Sequence, residues 1–256
     1  MIKYGESVEI SFKINSNFFQ QIPLYYVMLY FSNTEKYIGA GLYKKLLKLK
    51  QDFRAQLISF NDLYAFLSRE EKKLIDKVCL VEPKDYGKKH TVFYGIRPIP
   101  KNLVAITNQT YFSANNKKII KVKTQYLPKL VFMAFLKIKK AMRKDLGKSI
   151  NIISGYRSPA YQAVILFITL FENKWNVKKT LLRLTLPGCS EHGYSLRQAI
   201  DIAPENGIKN IEDFDKTKEY AWLLQYAKKF DFSLSYPKGN KFGVMFEPWH
   251  WRFGKN

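Results

Sequence analysis

LPKLVFMAFLKIKKAMRKDLGKSINIISGYRSPAYQAVILFITLF, residues 127–171, is the stretch from which the fold is read. Pro128 opens a helix, because a proline in the first turn removes an N–H that has no partner there anyway. The helix runs to about Lys144, with Leu130, Val131, Ala134, Phe135, Ile138, Ala141 and Met142 on one face. Gly147 ends it. Ile150–Ile153 is a short apolar run that suits a buried strand. Ser158 then caps, and Pro159 opens, a second helix over Ala160–Phe171 that is apolar almost all round and therefore buried. Further on, Ala199–Ala203 and Val244–Phe253 read as strands. Helix, strand, helix, strands make an α+β fold, a small antiparallel sheet backed by helices.

Upstream the pattern is less regular. Asn61-Asp62 starts a helix carrying Leu63, Phe66, Leu67, Leu74 and Val78. Leu42–Arg54 is basic and amphipathic, an ordinary helix with a solvated lysine face or a segment that lies on a membrane surface. Pro98, Pro100 and the polar run Asn115–Lys118 mark a boundary. The chain thus divides into a mixed, basic and aromatic-rich N-terminal region, 1–115, with no role assigned, and a second domain, 116–256.

Composition narrows the class. With 46% hydrophobic and 16% aromatic residues among 256, the chain folds. Its 43 Lys+Arg against 21 Asp+Glu leave +22, a surplus that attracts polyanions or is spread over solvated faces. Cys79 and Cys189 allow one disulfide at most, and no cysteine-rich zinc cage. The opening MIKYGESVEISFKIN shows no signal-peptide pattern, and the apolar run Ile22–Phe31 is about half a membrane span.

Chemistry concentrates around two of three histidines. His192 lies in Cys189-Ser190-Glu191-His192, followed by a run to Asp201; His250 lies in Glu247-Pro248-Trp249-His250. A catalytic zinc takes three His, Asp or Glu ligands and keeps one open position, and His192, Asp201 and His250 supply such a set. The metal acidifies its water and polarises the scissile carbonyl. Glu247, not bound to metal, is the candidate base for the water's proton. On a straight strand Glu247 and His250 would face opposite ways, so Pro248 must bend the chain. Arg157, at the Ser154–Ser158 turn, suits a carboxylate or a developing oxyanion. Each piece has an ordinary alternative: a packing histidine, a strand-ending aspartate, a surface arginine, core tryptophans at Trp249 and Trp251. Glu191 reads as a solvated carboxylate or one behind a ligand, His90 as a surface residue, and Cys189 as a buried small residue or a further ligand.

Taken together, Gly155-Tyr156-Arg157-Ser158 with Gln162, then Ser190-Glu191-His192 leading to Asp201, then Glu247-Pro248-Trp249-His250 resemble the VanY-type zinc D-alanyl-D-alanine carboxypeptidases and their LD-carboxypeptidase and phage peptidase relatives. The stretch Phe230–Phe232 through Tyr236-Pro237 is similar to the family's approach to its last motif. The resemblance covers about residues 127–254. It implies Zn2+ on His192, Asp201 and His250, Glu247 as base, Arg157 steadying the transition state, and Ser190, Gln162, Tyr236 and Trp249 about the substrate. Asp201 departs from the family pattern: it stands nine positions after His192 rather than seven, with the intervening glycine, Gly193, directly after the histidine, so the connection between the two ligands is longer.

The implied substrates are D-alanine-ending peptides of peptidoglycan, cut by a D,D- or L,D-carboxypeptidase, and the implied address is the periplasm or cell envelope. An anionic wall polymer or membrane surface is a further expected partner. The competing reading is a non-catalytic wall-binding protein on the same fold, tethered by its basic region. Nucleic acid is not expected, for no recognition motif accompanies the charge.

Overall fold

The computed structural model describes residues 29–88, 90–113 and 118–254. The opening segment, the apolar run Ile22–Phe31 up to residue 28, and most of the Asn115–Lys118 boundary lie outside these residues. Helices α1 (Asn33–Gln51), α2 (Phe60–Ala65) and α3 (Arg69–Cys79) precede two antiparallel ladders. These pair β1 (Leu103–Ile106) with β4 (Gln125–Pro128), and β2 (Thr110–Ser113) with β3 (Lys118–Lys121). Next come α4 (Lys129–Leu146), β5 (Ile150–Ser154), α5 (Pro159–Glu172), α6 (Val177–Leu181), β6 (Ala199–Pro204), α7 (Lys218–Tyr226), β7 (Phe232–Leu234) and β8 (His250–Phe253). The last four strands form one antiparallel sheet in the order β5-β6-β8-β7, and the fold is α+β as expected.

The core lies between that sheet and α4. Val131, Phe135, Ile138 and Met142 form the buried stripe of α4 and meet Ile152, Ile200, Ile202 and Trp251 from the sheet. Burial of each such side chain stabilises by about 1.5–3 kcal/mol relative to exposure. Leu130, expected on that face, is instead exposed, because it precedes the stripe by one position and so by 100° of helix turn. Gly147 closes α4 at φ +63°, a left-handed cap that favours glycine. Helix α5 is buried on nearly every side, with α1 and α3 packed across it, which accounts for its all-round apolar sequence.

Two elements differ from expectation. The helix expected from Asn61 to Val78 is two helices, because Ser68 starts a new one. Its Oγ accepts from the Glu71 N–H at 3.2 Å while its own N–H donates to Glu71 Oε2 at 2.8 Å. The strand expected over Val244–Phe253 begins only at His250: Asn240 Nδ2 donates to the Val244 carbonyl at 2.7 Å, which ties the preceding segment into a loop. Both cysteines are free. Among the described residues no helix is long and apolar enough to cross a membrane.

Candidate metal centre and active site

The sheet register assembles the polar site. Ser154 pairs with Asp201, and Asp201 pairs with His250, so three adjacent strands bring these positions into one row. Directly opposed residues of an antiparallel pair share a face. Their neighbours Ile200, Ile202 and Trp251 therefore point the other way, into the core.

His192 arrives from a 3-10 turn, Glu191–Gly193, capped by Ser190, whose Oγ accepts from the His192 N–H at 3.3 Å. Two constraints fix its ring. The Arg157 N–H donates to the His192 carbonyl at 3.1 Å, and His192 Nδ1 lies 2.8 Å from the Gly155 carbonyl. A carbonyl oxygen only accepts, so Nδ1 carries the proton and Nε2 presents a lone pair. Gly155 itself has no room for a side chain: a Cβ there would sit 2.4 Å from the Tyr126 carbonyl oxygen.

His250 is fixed by a different device. Glu247-Pro248-Trp249-His250 is a turn, closed by the His250 N–H donating to the Glu247 carbonyl at 3.1 Å, with proline at its favoured second position. His250 Nε2 lies 3.0 Å from Glu191 Oε2, and Nδ1 lies 3.0 Å from Asp201 Oδ1. Glu191 is buried and also accepts from Ser235 Oγ at 2.5 Å, with Arg252 Nη1 3.5 Å away. Glu191 is therefore not a solvated carboxylate; it lies buried against the His250 ring.

The donors converge. His192 Nε2 lies 3.3 Å from Asp201 Oδ1 without hydrogen-bond geometry, and it is a buried nitrogen with no partner among the described residues. One ligand atom each from His192, Asp201 and His250 fall within 4.8 Å of one another. Two imidazole nitrogens facing one carboxylate oxygen are a set of acceptors that only a cation or a proton satisfies. Titration follows the same logic. Burial and the nearby Arg157 guanidinium push His192 down to about 4, so its ring is neutral. Burial works against a charge on His250, yet Asp201 and Glu191 lift it to about 10, a proton standing where a metal would compete. Burial likewise opposes ionisation of Glu191, but His250, Ser235 and Arg252 hold it at about 2.

Above these donors is a cavity of about 230 Å³. Glu247 lines it with Oε2 3.7 Å from His250 Nδ1, so the Pro248 bend brings Glu247 and His250 to one place. Burial raises the Glu247 pKa above the ordinary carboxylate value, with Arg157 and Lys88 working against the rise. Arg157, Ser190, Gln162, Tyr236 and Trp249 all border the same space. Arg157 Nε is buried without a partner among the described residues, while Gln162 Nε2 is already engaged, donating to the Thr185 carbonyl at 2.7 Å. Tyr236 packs on the His250 ring with centroids 4.9 Å apart.

Lys88 and Arg183 border the cavity too, and neither was expected. Lys88 belongs to an irregular segment in which no periodicity points to it. That segment is anchored nearby, where the Tyr94 N–H donates to the Gly188 carbonyl at 2.7 Å and the Tyr94 hydroxyl reaches Glu191 Oε1 at 3.5 Å. Cys189 is not one of the three converging ligands, and burial pushes its thiol up to about 11. His90 is exposed, as expected. The longer His192–Asp201 connection is taken up by a second 3-10 turn, Ser195–Arg197.

Residues 124–255, just over half of the chain, match the family model described as VanY, D-alanyl-D-alanine carboxypeptidase. The chain belongs to that family. Among its relatives, YodJ of Bacillus subtilis (strain 168) is 31% identical over 174 residues, 60% of each chain. The bifunctional D-Ala-D-Ala dipeptidase and carboxypeptidase VanXYC of Enterococcus gallinarum is 32% identical over 117 residues, 42% of this chain and 57% of its own. The chain thus spans about three-fifths of the length of these curated relatives. Similar solved structures include the LdcB LD-carboxypeptidase, 30% identical, with TM-score 0.47 over 60% of this chain and 68% of that one. A mutant of a vancomycin-resistance D,D-pentapeptidase VanY in complex with Zn(II) is 28% identical, with TM-score 0.42 over 50% of this chain and 73% of that one.

Proposed function

We propose that this chain is a zinc-dependent peptidase that hydrolyses D-alanine-containing peptides of bacterial peptidoglycan, as a D,D- or L,D-carboxypeptidase of the cell envelope. The observation that carries this reading is the convergence of His192 Nε2, His250 Nδ1 and Asp201 Oδ1 beneath a cavity that holds an unattached carboxylate, Glu247. In this reading residues 116–256 carry the chemistry, and the region before them supports it.

His192, Asp201 and His250 hold the metal, and the donor set suits zinc, which takes imidazole nitrogen and carboxylate oxygen and leaves a position open in catalytic sites. Bound there, zinc supplies Lewis-acid polarisation of the scissile carbonyl and acidification of water. Glu247 Oε2 takes the proton of the attacking water, and the same oxygen returns it to the leaving amine as the C–N bond breaks. Its raised pKa makes it a stronger base toward that water. Arg157, with a buried and unspent Nε, stabilises the negative charge that develops on the carbonyl oxygen. Ser190, Gln162, Tyr236 and Trp249 shape the space around the terminal residue.

Incubation of the purified chain with zinc and D-alanine-ending peptides, followed by chromatography of the products, tests this. Release of free D-alanine is the expected result, and peptides left intact in the presence of stoichiometric zinc would refute it. A non-catalytic wall-binding role is the weaker reading, because a binding module has no use for a buried carboxylate placed 3.7 Å from a ligand nitrogen.

A further inference from the structure

A second hollow, about 710 Å³, adjoins the catalytic cavity. The two meet at Arg157 and Leu184, which border both. Its walls are mixed. Phe53, Tyr161, Ile165 and Ile211 give an apolar lining, while Lys50, Lys121, Lys123 and Lys209 stand around it. Arg157 is the fifth cation and Asp52 the single acid among its lining residues. One oxygen of the Asp52 carboxylate accepts from the Arg54 N–H at 2.6 Å, and its single charge is outnumbered by the five cations.

The groove is built rather than incidental. The segment that forms one wall is tied to the turn that carries Arg157, since the Ser158 N–H donates to the Gln56 carbonyl at 2.9 Å and Ser158 Oγ donates to the Ile58 carbonyl at 2.6 Å. Lys123 Nζ donates to the Lys50 carbonyl at 3.2 Å and joins the other wall to it. Gln56 Oε1, on the same wall, is buried and has no partner among the described residues. Lys50, Phe53, Gln56, Lys121 and Lys123 all precede residue 124, where the family match begins.

The catalytic cavity, at about 230 Å³, is smaller than the roughly 300–1,000 Å³ that encloses a drug-sized ligand. A peptide seated there by its C-terminus must continue outside it. The geometry points to the basic groove as the binding site for the part of the substrate upstream of the scissile bond, and to substrates that carry a free carboxylate in that part. The inference rests on the proposed peptidase reading and specifies its substrate class. An apolar lining with a lysine rim suits a peptide whose backbone packs against Phe53 and Tyr161 while an acidic side chain reaches the ammonium groups.

The test uses two peptides that share a D-alanine terminus and differ only in carrying glutamate or glutamine upstream. At low salt the wild-type chain should favour the glutamate peptide in kcat/KM by about tenfold, as a few solvent-exposed ion pairs allow. In a Lys50→Gln, Lys121→Gln, Lys209→Gln variant that preference should fall to about one. Lys123 is kept so that its bond to Lys50 persists. An unchanged preference in the variant would overturn the inference. Direct titration of both peptides onto both proteins separates this failure from failure of the peptidase reading, because a glutamate preference in binding that the variant loses sustains the groove even where nothing is cleaved. Equal binding of the two peptides to wild type overturns it. Loss of binding to soluble polyphosphate in the variant, with peptide preference intact, would also overturn it and make the groove a polymer site.

Discussion

Glu191 and His250 are joined at 3.0 Å through Nε2, and this one contact decides which nitrogen of His250 faces Asp201 and His192. Glu191 immediately precedes one expected ligand in sequence and orients another 59 positions away. Partners that hold a ligand's far nitrogen fix its tautomer and raise its basicity.

Glu191→Gln should therefore lower zinc affinity by about 10–100-fold without unfolding the chain. Competition against a chromogenic chelator measures it. Wild-type affinity in the variant would mean that His250 is oriented by its turn alone.

Glu247→Gln should keep one zinc per chain and lose turnover by about 10²–10⁴-fold, the range for a positioned acid–base group. Metal content and D-alanine release, measured on the same preparation, separate the two effects. A variant that still turns over at the wild-type rate removes Glu247 from the base role.

Gly155→Ala would place its Cβ 2.4 Å from the Tyr126 carbonyl oxygen. The backbone on one side must shift, at a cost of about 1–3 kcal/mol as for other overpacked sites. Because the Gly155 carbonyl also accepts from His192, metal affinity should fall with stability. Thermal unfolding with and without zinc reads both, and an unshifted midpoint contradicts the packing argument.

Far from the site, Glu71 links α3 to α1 by capping Ser68 and by pairing with Lys45 at 2.8 Å. Burial would raise its pKa, but Lys45 and the Ser68 N–H outweigh burial and hold it below the ordinary value. A depressed folded pKa contributes stability that is complete above the unfolded value, about 4.3, and is lost as pH falls through the folded one. Glu71→Gln should cost about 1 kcal/mol at pH 7, and the difference from wild type should begin to shrink as pH falls below about 4.3 and close as it passes through the lower folded value. Urea melts at several pH values test it, and a gap that persists in acid would contradict the linkage.

Much of this was legible in the sequence, for identifiable reasons. His192, Asp201, His250 and Glu247 each have an ordinary alternative alone, and it is the three motifs in order, with their resemblance to a known family, that single them out; Pro248 signals the bend that unites two of them. The helices α4 and α5 are written in periodicity and in Pro128, Gly147 and Ser158. Strand register is not written there. Nothing local says that Asp201 faces His250, because that pairing is set by partners 49 positions apart. Lys88 was invisible for a related reason, since it follows a short 3-10 turn, held by its N–H to the Pro83 carbonyl at 3.2 Å, and such a segment carries no period. The break at Ser68 was readable in its Ser-x-x-Glu spacing, but the apolar residues on either side made one long helix the simpler reading.

The most direct test of the central claim is zinc content by elemental analysis of the purified chain beside His192→Ala and His250→Ala, with D-alanine release assayed on each. The metal site predicts one zinc per wild-type chain, little in either variant, and activity that disappears with the metal. Stoichiometric zinc in the variants, or hydrolysis by a wild-type chain stripped of metal, would contradict it.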